Sequence, residues 1–395
     1  MYVNKELPES CGWYLDGCIG WFVSCVTNIL YRYDIQTNVL SIVSFIPTSN
    51  LGPYQNPSCI KSGDFIYCFP EYESNIWCYD LNSRQWRKIN IYEKKTIPAM
   101  AFMLGEYKGV GYFFSCGYEK LFGIDLKDGT IKSYHMDVKI ICAYYIHGVL
   151  SDGKVYLVFG GTSIYEFDLE KCCQKTYDFP YVDDILFRIE VEEDNFWIIG
   201  KKERVYIWKK GEDKISTLTV FPSEISFYDF EKKKQIMKYD DNVEGLFVFN
   251  SIHQLRDKIW LIPLSASHIL YFHKKDMKIR IFDIPNEEET EESMDLYHRR
   301  IASKFALMYI RQERYLGIYS YRNKWIFEID SLKMTYQKAD FVIDEYSLAQ
   351  IPIQEFYEGQ DNLMYMIYSA KINHSNDIFD GADRKIVGSN IYKKM

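Results

Sequence analysis

No run of apolar residues in the 395-residue chain approaches the roughly 18 that a membrane-spanning helix needs. The opening MYVNKELPES is charged and lacks an apolar core, so it does not read as a secretory signal. Both absences lead to the expectation of a soluble, cytoplasmic chain with no membrane partner. Cysteine is present, at 10 residues, but in no arrangement that builds a site. Cys11, Cys18 and Cys25 recur every seven residues and Cys172 adjoins Cys173, whereas a zinc site wants pairs spaced as C-x2-C. Thiols scattered this thinly in a chain without a signal are expected to be reduced. No metal and no cofactor is expected.

Positive charge is also in deficit. The 47 Lys and Arg are outnumbered by 55 Asp and Glu, giving a net charge of −8. Phosphate backbones demand concentrated Lys and Arg, so nucleic acid is excluded as a main partner. The local basic run Lys232–Lys234 is offset by Asp229, Glu231, Asp240 and Asp241. Signatures of common chemistries are missing too: no G-x-x-x-x-G-K-[ST] loop, no H-E-x-x-H, no G-x-S-x-G elbow and no EF-hand loop. Gly105, Gly109 and Gly111 flank a hairpin and precede a strand, so they do not cradle a phosphate. The histidines are dispersed; His268 and His273 share an expected strand but fall on opposite faces of it.

What the chain does have is aromatic side chains and a repeat. Aromatics make up 17% of the residues, led by 34 Tyr and 25 Phe, while Ala is scarce. That bias suits a pleated, half-buried surface and favours strands over helices. One phrase recurs: an apolar strand, a short turn, a second apolar strand, a few polar residues, and a third strand rich in aromatics that ends in Asp. DFIYCFPEYESNIWCYDLNSRQWRKINI, from Asp64 to Ile91, is its clearest copy. The terminal aspartates fall at Asp34, Asp80, Asp125 and Asp168 and return at Asp330, while RVYIWKKG and HILYFHKK replace that element in the fifth and sixth copies. A proline closes the unit at Pro47, Pro180, Pro222 and Pro285, where a residue that cannot donate to a ladder belongs. Such an Asp, repeated at the end of the third strand, reads as a turn device that accepts bonds from the following backbone. Turn dipeptides such as Asp128-Gly129 and Asp152-Gly153 accept positive φ between strands.

A period of 40 to 50 residues with four strands per unit is the signature of a propeller blade. The predicted fold class is all-β: a seven-bladed β-propeller of four-stranded antiparallel blades, each starting with a strand that lines the central channel. The blades are placed at 10–47, 57–91, 98–136, 140–180, 185–222, 245–285 and 301–341, so the propeller spans 10–341. Residues 342–395 form a C-terminal extension, with a short helix expected over Asn362 to Ile372. Either this tail or the first strand near Cys11 could close the ring.

Blade four carries a Gly160-Gly161 pair after its second strand, and blade two carries Tyr79 followed by Trp86. On these residues the chain resembles the kelch-repeat family, in divergent form, over roughly residues 10–341. The resemblance implies a propeller used for binding, and such propellers also include sugar-processing enzymes and glycan binders.

In an antiparallel meander the A–B and C–D loops share one face, and the B–C and D–A loops share the other. The two longest connections, Pro222 to Gly245 and Pro285 to Ile301, are both D–A loops. Long loops on a rigid scaffold are where binding residues collect, so that face is the expected working surface. Its candidate binding residues are Tyr72, Tyr118 and Tyr321 with Arg322 in B–C loops, and Tyr54 and Tyr181 in D–A loops. The acidic loop Glu287, Glu288, Glu289, Glu291 and Glu292, followed by Arg299 and Arg300, completes the set. No catalytic residue is assigned. Three functions stay open. The first is a non-catalytic binding or scaffold module presenting this face to a protein partner. The second is a binder or processor of a carbohydrate-like ligand at the channel mouth, and the third a purely architectural subunit.

Overall fold

The computed structural model describes residues 12–344, apart from 25–27, 48–57, 71–74, 92–100, 142–145, 181–183, 201–203, 219–220, 230–233, 237–248, 264–265, 285–304 and 321–324. Residues 1–347 make one compact unit and 348–395 a second. The second unit lies outside the described residues, as does the helix expected over 362–372. No helix among the described residues is long and apolar enough to cross a membrane.

Seven four-stranded antiparallel sheets form the blades of a propeller ring, each with its strands in sequence order. Blade two shows the pattern with Ser58–Ser62, Phe65–Phe69, Asn75–Asp80 and Gln85–Asn90. First strands of neighbouring blades pack side by side, and that of blade seven, Phe305–Arg311, lies against that of blade one, Trp13–Asp16. They are the inner strands. A two-stranded hairpin, Phe227–Asp229 with Lys234–Ile236, stands between blades five and six.

Burial follows strand order for a physical reason. The second strand of each blade has neighbours on both edges and an adjoining blade over both faces, so sequences such as FIYCF and KIWLIP are apolar nearly throughout. The outer strand is a sheet edge near solvent, and QWRKIN in blade two and CQKTYD in blade four are each exposed at four positions and half-buried at two. Apolar faces of consecutive blades close on one another in shared cores. One joins Tyr67, Phe69 and Ile76 of blade two to Phe113 and Phe122 of blade three. Another joins Trp260 and Ile262 of blade six to Leu316 and Phe327 of blade seven.

The recurring aspartates have a common role. Asp34 accepts from the amides of Gln36 and Thr37, Asp80 from Asn82 and Ser83, Asp168 from Glu170 and Lys171, Asp330 from Leu332 and Lys333, and Asp125 from Lys127. Each therefore sets the turn into the outer strand. The turn ends in a left-handed residue, Asn38, Arg84, Gly129, Cys172 or Met334. Directly after the third strand, one amide donates to a carbonyl in the A–B turn of the same blade. It recurs in all seven: Ile35 to Cys18, Leu81 to Asp64, Leu126 to Gly109, Leu169 to Gly153, Lys210 to Asp194, Lys274 to Asp257 and Ser331 to Arg314, at 2.8 to 3.0 Å. Blades five and six keep this bond without the aspartate. Two of the prolines sit just beyond outer strands: strands ending at Phe45 and Asp178 precede Pro47 and Pro180, while Pro285 lies outside the described residues.

The ring is closed by the chain that follows blade seven. Val342–Ile343 adds a fifth, parallel strand to the outer strand of blade one, with Val342 beside Val39 and Ile343 beside Leu40. The Val342 amide donates to Asn38 O at 2.8 Å and the Asp344 amide to Leu40 O at 3.1 Å.

Replacing Val342 and Asp344 together by proline removes that strand's two donors. Urea unfolding of the variant is expected to show a loss of about 1–3 kcal/mol, given roughly 0.5–1.5 kcal/mol per backbone bond. An unchanged midpoint would mean that packing between blades seven and one closes the ring unaided. The turn aspartates generate a second expectation. The amides of Asn82 and Ser83 hold the Asp80 carboxyl below the usual range, that of Lys171 does so for Asp168, and the Arg314 guanidinium lowers Asp330 further. A carboxylate lowered by folding stabilises above its unfolded pKa of about 4, and that contribution is lost as pH falls through the folded value. Asp80→Ala should lower the melting temperature at pH 7, whereas Asp80→Asn, whose side-chain oxygen still accepts, should keep the turn and flatten the decline below pH 4.

Candidate functional site

Of the residues singled out on the long-loop face, Tyr118 lies within the described part. It sits in the turn between Val110–Ser115 and Lys120–Asp125 of blade three. The Tyr118 amide donates to Ser115 O, and Glu119 takes φ 54°, so the turn curls back on its own blade. The Tyr118 ring packs edge-on against Phe122 with centroids 5.4 Å apart and is 8% exposed, within the core shared by blades two and three. Little of its surface is offered to a ligand. Tyr54, Tyr72, Tyr181, Tyr321, Arg322, Glu287, Glu288, Glu289, Glu291, Glu292, Arg299 and Arg300 lie outside the described residues.

The histidines named in the sequence are accounted for locally. His268 precedes its strand, Ile269–His273, and its Nδ1 lies 2.6 Å from Ser267 Oγ. His273 Nδ1 stands 3.0 Å from Asp257 Oδ2.

A different constellation comes from the inner strands of blades four, five and six: Ile146–Ser151, Leu186–Glu192 and Phe249–Leu255. These strands break their apolar pattern with His147, with Arg188, Glu190 and Glu192, and with His253. Arg188, Glu190 and Glu192 alternate along one side of their strand, while Ile189 and Val191 on the other side enter the core shared with blade four. Glu190 and His253 occupy equivalent positions, each opposite a tryptophan, Trp197 and Trp260. His147, opposite Val158, matches Arg188, opposite Ile199, at the level above. Both bulges in these strands, at Leu186/Arg188 and at Phe249/Ser251, fall at the start of the polar stretch and re-aim the side chains beyond them.

Blades are stitched together at this wall. The Ile189 amide donates to His147 Nδ1 at 3.2 Å, which leaves the His147 proton on Nε2 as a donor. The Arg188 guanidinium lies over the Phe187 ring at 3.7 Å and donates to Phe187 O. Nearer the tight-turn face, Glu192 accepts from Gln254 at 2.7 Å and pairs with Lys274 at 2.5 Å, both from blade six.

His147, Arg188, Glu190 and His253 are each half-buried, and dense protein around them strips most of their water. Charged forms suffer accordingly. Burial pushes Glu190 up to about 8; the Val191 amide opposes, the Glu192 charge adds, and Lys274 opposes. Burial brings Arg188 down to about 9 and His253 down to about 4. His147 falls well below its ordinary value, again through burial, with Arg188 and His253 contributing. At neutral pH the wall therefore presents a guanidinium, two neutral imidazoles and a protonated carboxyl group. Among the described residues no group of three or more His, Cys, Asp and Glu is placed to hold a metal ion.

No protein-family model matches the chain, and no curated protein matches its sequence. Solved structures do match its fold. A computationally designed protein, Ika8, aligns over 85% of this chain and 91% of its own at 6% identity and a TM-score of 0.51. YCF48 bound to D1 peptide aligns over 79% of this chain and 90% of its own at 10% identity and a TM-score of 0.53.

Glu190→Gln tests the electrostatics of the wall. A carboxyl raised by folding stabilises fully below its unfolded pKa of about 4, and that contribution is lost as pH rises to the folded value near 8. The variant escapes this loss. Its urea midpoint is expected to equal the parent's near pH 4 and to exceed it at pH 8; equal midpoints at both pH values would show Glu190 to be solvated.

Proposed function

We propose that this chain is a binding module, a rigid ring that docks a protein partner on its long-loop face and carries out no chemistry there. The observation that supports this reading most is the asymmetry between the two faces. On one face every A–B and C–D connection is a short turn, and its polar groups are spent on its own backbone through the repeated amide bond and the aspartates. The longest connections, between Leu218 and Phe249 and between Phe282 and Phe305, each join the fourth strand of one blade to the first strand of the next. A scaffold that is invariant on one side and variable on the other concentrates recognition on the variable side. YCF48, whose fold is similar, is bound to D1 peptide in its structure, in keeping with a ring of this kind holding a polypeptide.

A kelch-like ancestry is the second element of the reading. Its support is local: Gly160 takes φ 71°, a Cβ on Gly161 would approach Ile141 at 3.2 Å, and Tyr79 and Trp86 pair across strands with ring centroids 4.8 Å apart. The acidic balance and free thiols fit a cytoplasmic site of action.

The test compares two variants in affinity capture from the native lysate. One neutralises Glu287, Glu288, Glu289, Glu291 and Glu292 to Gln; the other, Glu170→Gln, alters a turn on the opposite face. A partner retained by the parent and by Glu170→Gln, and reduced at least tenfold in the quintuple variant, is the expected result. Capture that is equal in all three, or absent from all three, would sink the proposal.

A further inference from the structure

We propose that Cys59 and Cys68 of blade two are a modification site, a dithiol that a hydroperoxide converts to an intrachain disulfide. This goes beyond docking on the long-loop face and stands without it.

The first ground is register. Ser58–Ser62 and Phe65–Phe69 form a hairpin around the two-residue turn Gly63-Asp64, with Gly63 at φ 55° in the first central position. Ser62 faces Phe65 across that turn, and the pairing runs without a bulge to Cys59 opposite Cys68. Along an antiparallel ladder, hydrogen-bonded pairs alternate with non-bonded ones. Ser62 with Phe65 is the bonded pair that closes the turn, so Cys59 and Cys68 fall in the second non-bonded pair. Residues paired in that way have Cα atoms about 4.5 Å apart. A disulfide spans Cα separations of about 4.4–6.8 Å, so the backbone already stands within its reach.

The second ground is orientation. Partners directly opposite one another share a face of the sheet. Both thiols enter the core that blade two shares with blade one, beside Trp21 and Leu30, and both are free. Cys78, on the third strand, enters the core shared with blade three, so the sheet stands between it and Cys59. At the same distance from the turn, blades one, five and six carry Trp13 with Phe22, Ile189 with Ile198 and Ile252 with Leu261. Two thiols fill that place with far less volume, so packing alone does not call for them.

The same burial sets when the pair reacts. It pushes the Cys59 thiol up to about 12 and the Cys68 thiol well above its ordinary value, with Cys59 and Cys78 adding to the latter. The thiolate is the nucleophile, so the closed ring holds the pair reduced, and reaction waits on local opening of the hairpin. One thiolate then attacks a peroxide oxygen; the O–O bond breaks, leaving a sulfenic acid and, from hydrogen peroxide, one water. The second sulfur displaces the sulfenic hydroxyl as another water, and the S–S bond forms. The two thiols lose two electrons and two protons, which reduce one hydrogen peroxide to two waters. The link ties the inner strand, whose Lys61 pairs with Asp16 of blade one at 2.7 Å, to the strand behind it.

In the experiment the full-length protein is treated with hydrogen peroxide at pH 8 without denaturant. Remaining thiols are then alkylated in denaturant, and a tryptic digest is read by mass spectrometry. Trypsin cuts after Lys61, between the two cysteines, so the link joins residues 33–61 to residues 62–84. The expected product is two hydrogens lighter than the sum of these peptides, at least tenfold more abundant than in untreated protein, and split by dithiothreitol. It should persist in Cys78→Ser, which removes the other cysteine of the two peptides, and vanish in Cys68→Ala. Fragment ions locate the bond in the parent itself, so the result does not depend on either variant folding. Cys59 joined to Cys78 or to any other cysteine would overturn the assignment. So would Cys59 and Cys68 that are still fully alkylated once peroxide has oxidised the exposed Cys172 and Cys173.

Discussion

One backbone hydrogen bond organises the molecule. In every blade the amide just after the third strand reaches a carbonyl in the turn between the first two strands, at 2.8 to 3.0 Å. The bond fixes where the outer strand begins relative to the inner one, and so fixes the width of each blade at one end. Its own net contribution is small, about 0.5–1.5 kcal/mol. The weight of stability lies elsewhere. Among the described residues the largest fully buried side chains are all aromatic, including Trp260, Tyr67, Tyr206, Phe113 and Phe159, and each contributes roughly 1.5–3 kcal/mol on burial. The hydrogen bond specifies geometry; the aromatic cores between blades supply the energy.

Those cores explain why the ring has to close. A sheet apolar on both faces is stable only between two others, so seven such sheets have no end that can be left bare. Tyrosine serves this packing well because its hydroxyl can bond once the ring is buried. Tyr67 of blade two donates to Leu126 O of blade three at 2.9 Å, and Tyr206 of blade five donates to Asp184 Oδ2, ahead of its own blade's first strand, at 2.7 Å. Closure falls to Val342–Ile343, two residues with an edge strand to lean on. Short as it is, this strand covers the outer edge of blade one, which would otherwise present unpaired amides.

The fold is legible in the sequence because its physics repeats. A second strand buried on both faces writes an apolar run such as FIYCF or KVYLVF, and a turn that needs an acceptor writes Asp at the end of the third strand. Where the Asp is missing, in blades five and six, the main-chain bond from Lys210 or Lys274 still holds the turn, so loss of the letter does not mean loss of the blade. The site is far less legible. Counting strands puts Tyr118 in an exposed loop, but a turn that curls back delivers its ring to the core. His147, Arg188 and His253 are separated by long stretches of sequence and obey no motif; only ring geometry brings their strands together. The one trace they leave is a polar residue in an inner strand that is otherwise apolar, as in IHGVLS or FNSIHQL.

That trace has a physical meaning. An inner strand can satisfy its core side with Ile189 and Val191 and still tolerate Arg188 and Glu190 on the other, because alternation separates the two demands. Tolerance is not the same as indifference: a guanidinium brought down to about 9 and a carboxyl pushed up to about 8 are both held away from their preferred states. If both groups were there only to fill space, apolar residues of the same size would fill it more stably. Arg188 and Glu190 do not neutralise each other either, since no ion pair forms at Glu190 among the described residues. The wall therefore makes the stability of the ring depend on pH through Glu190.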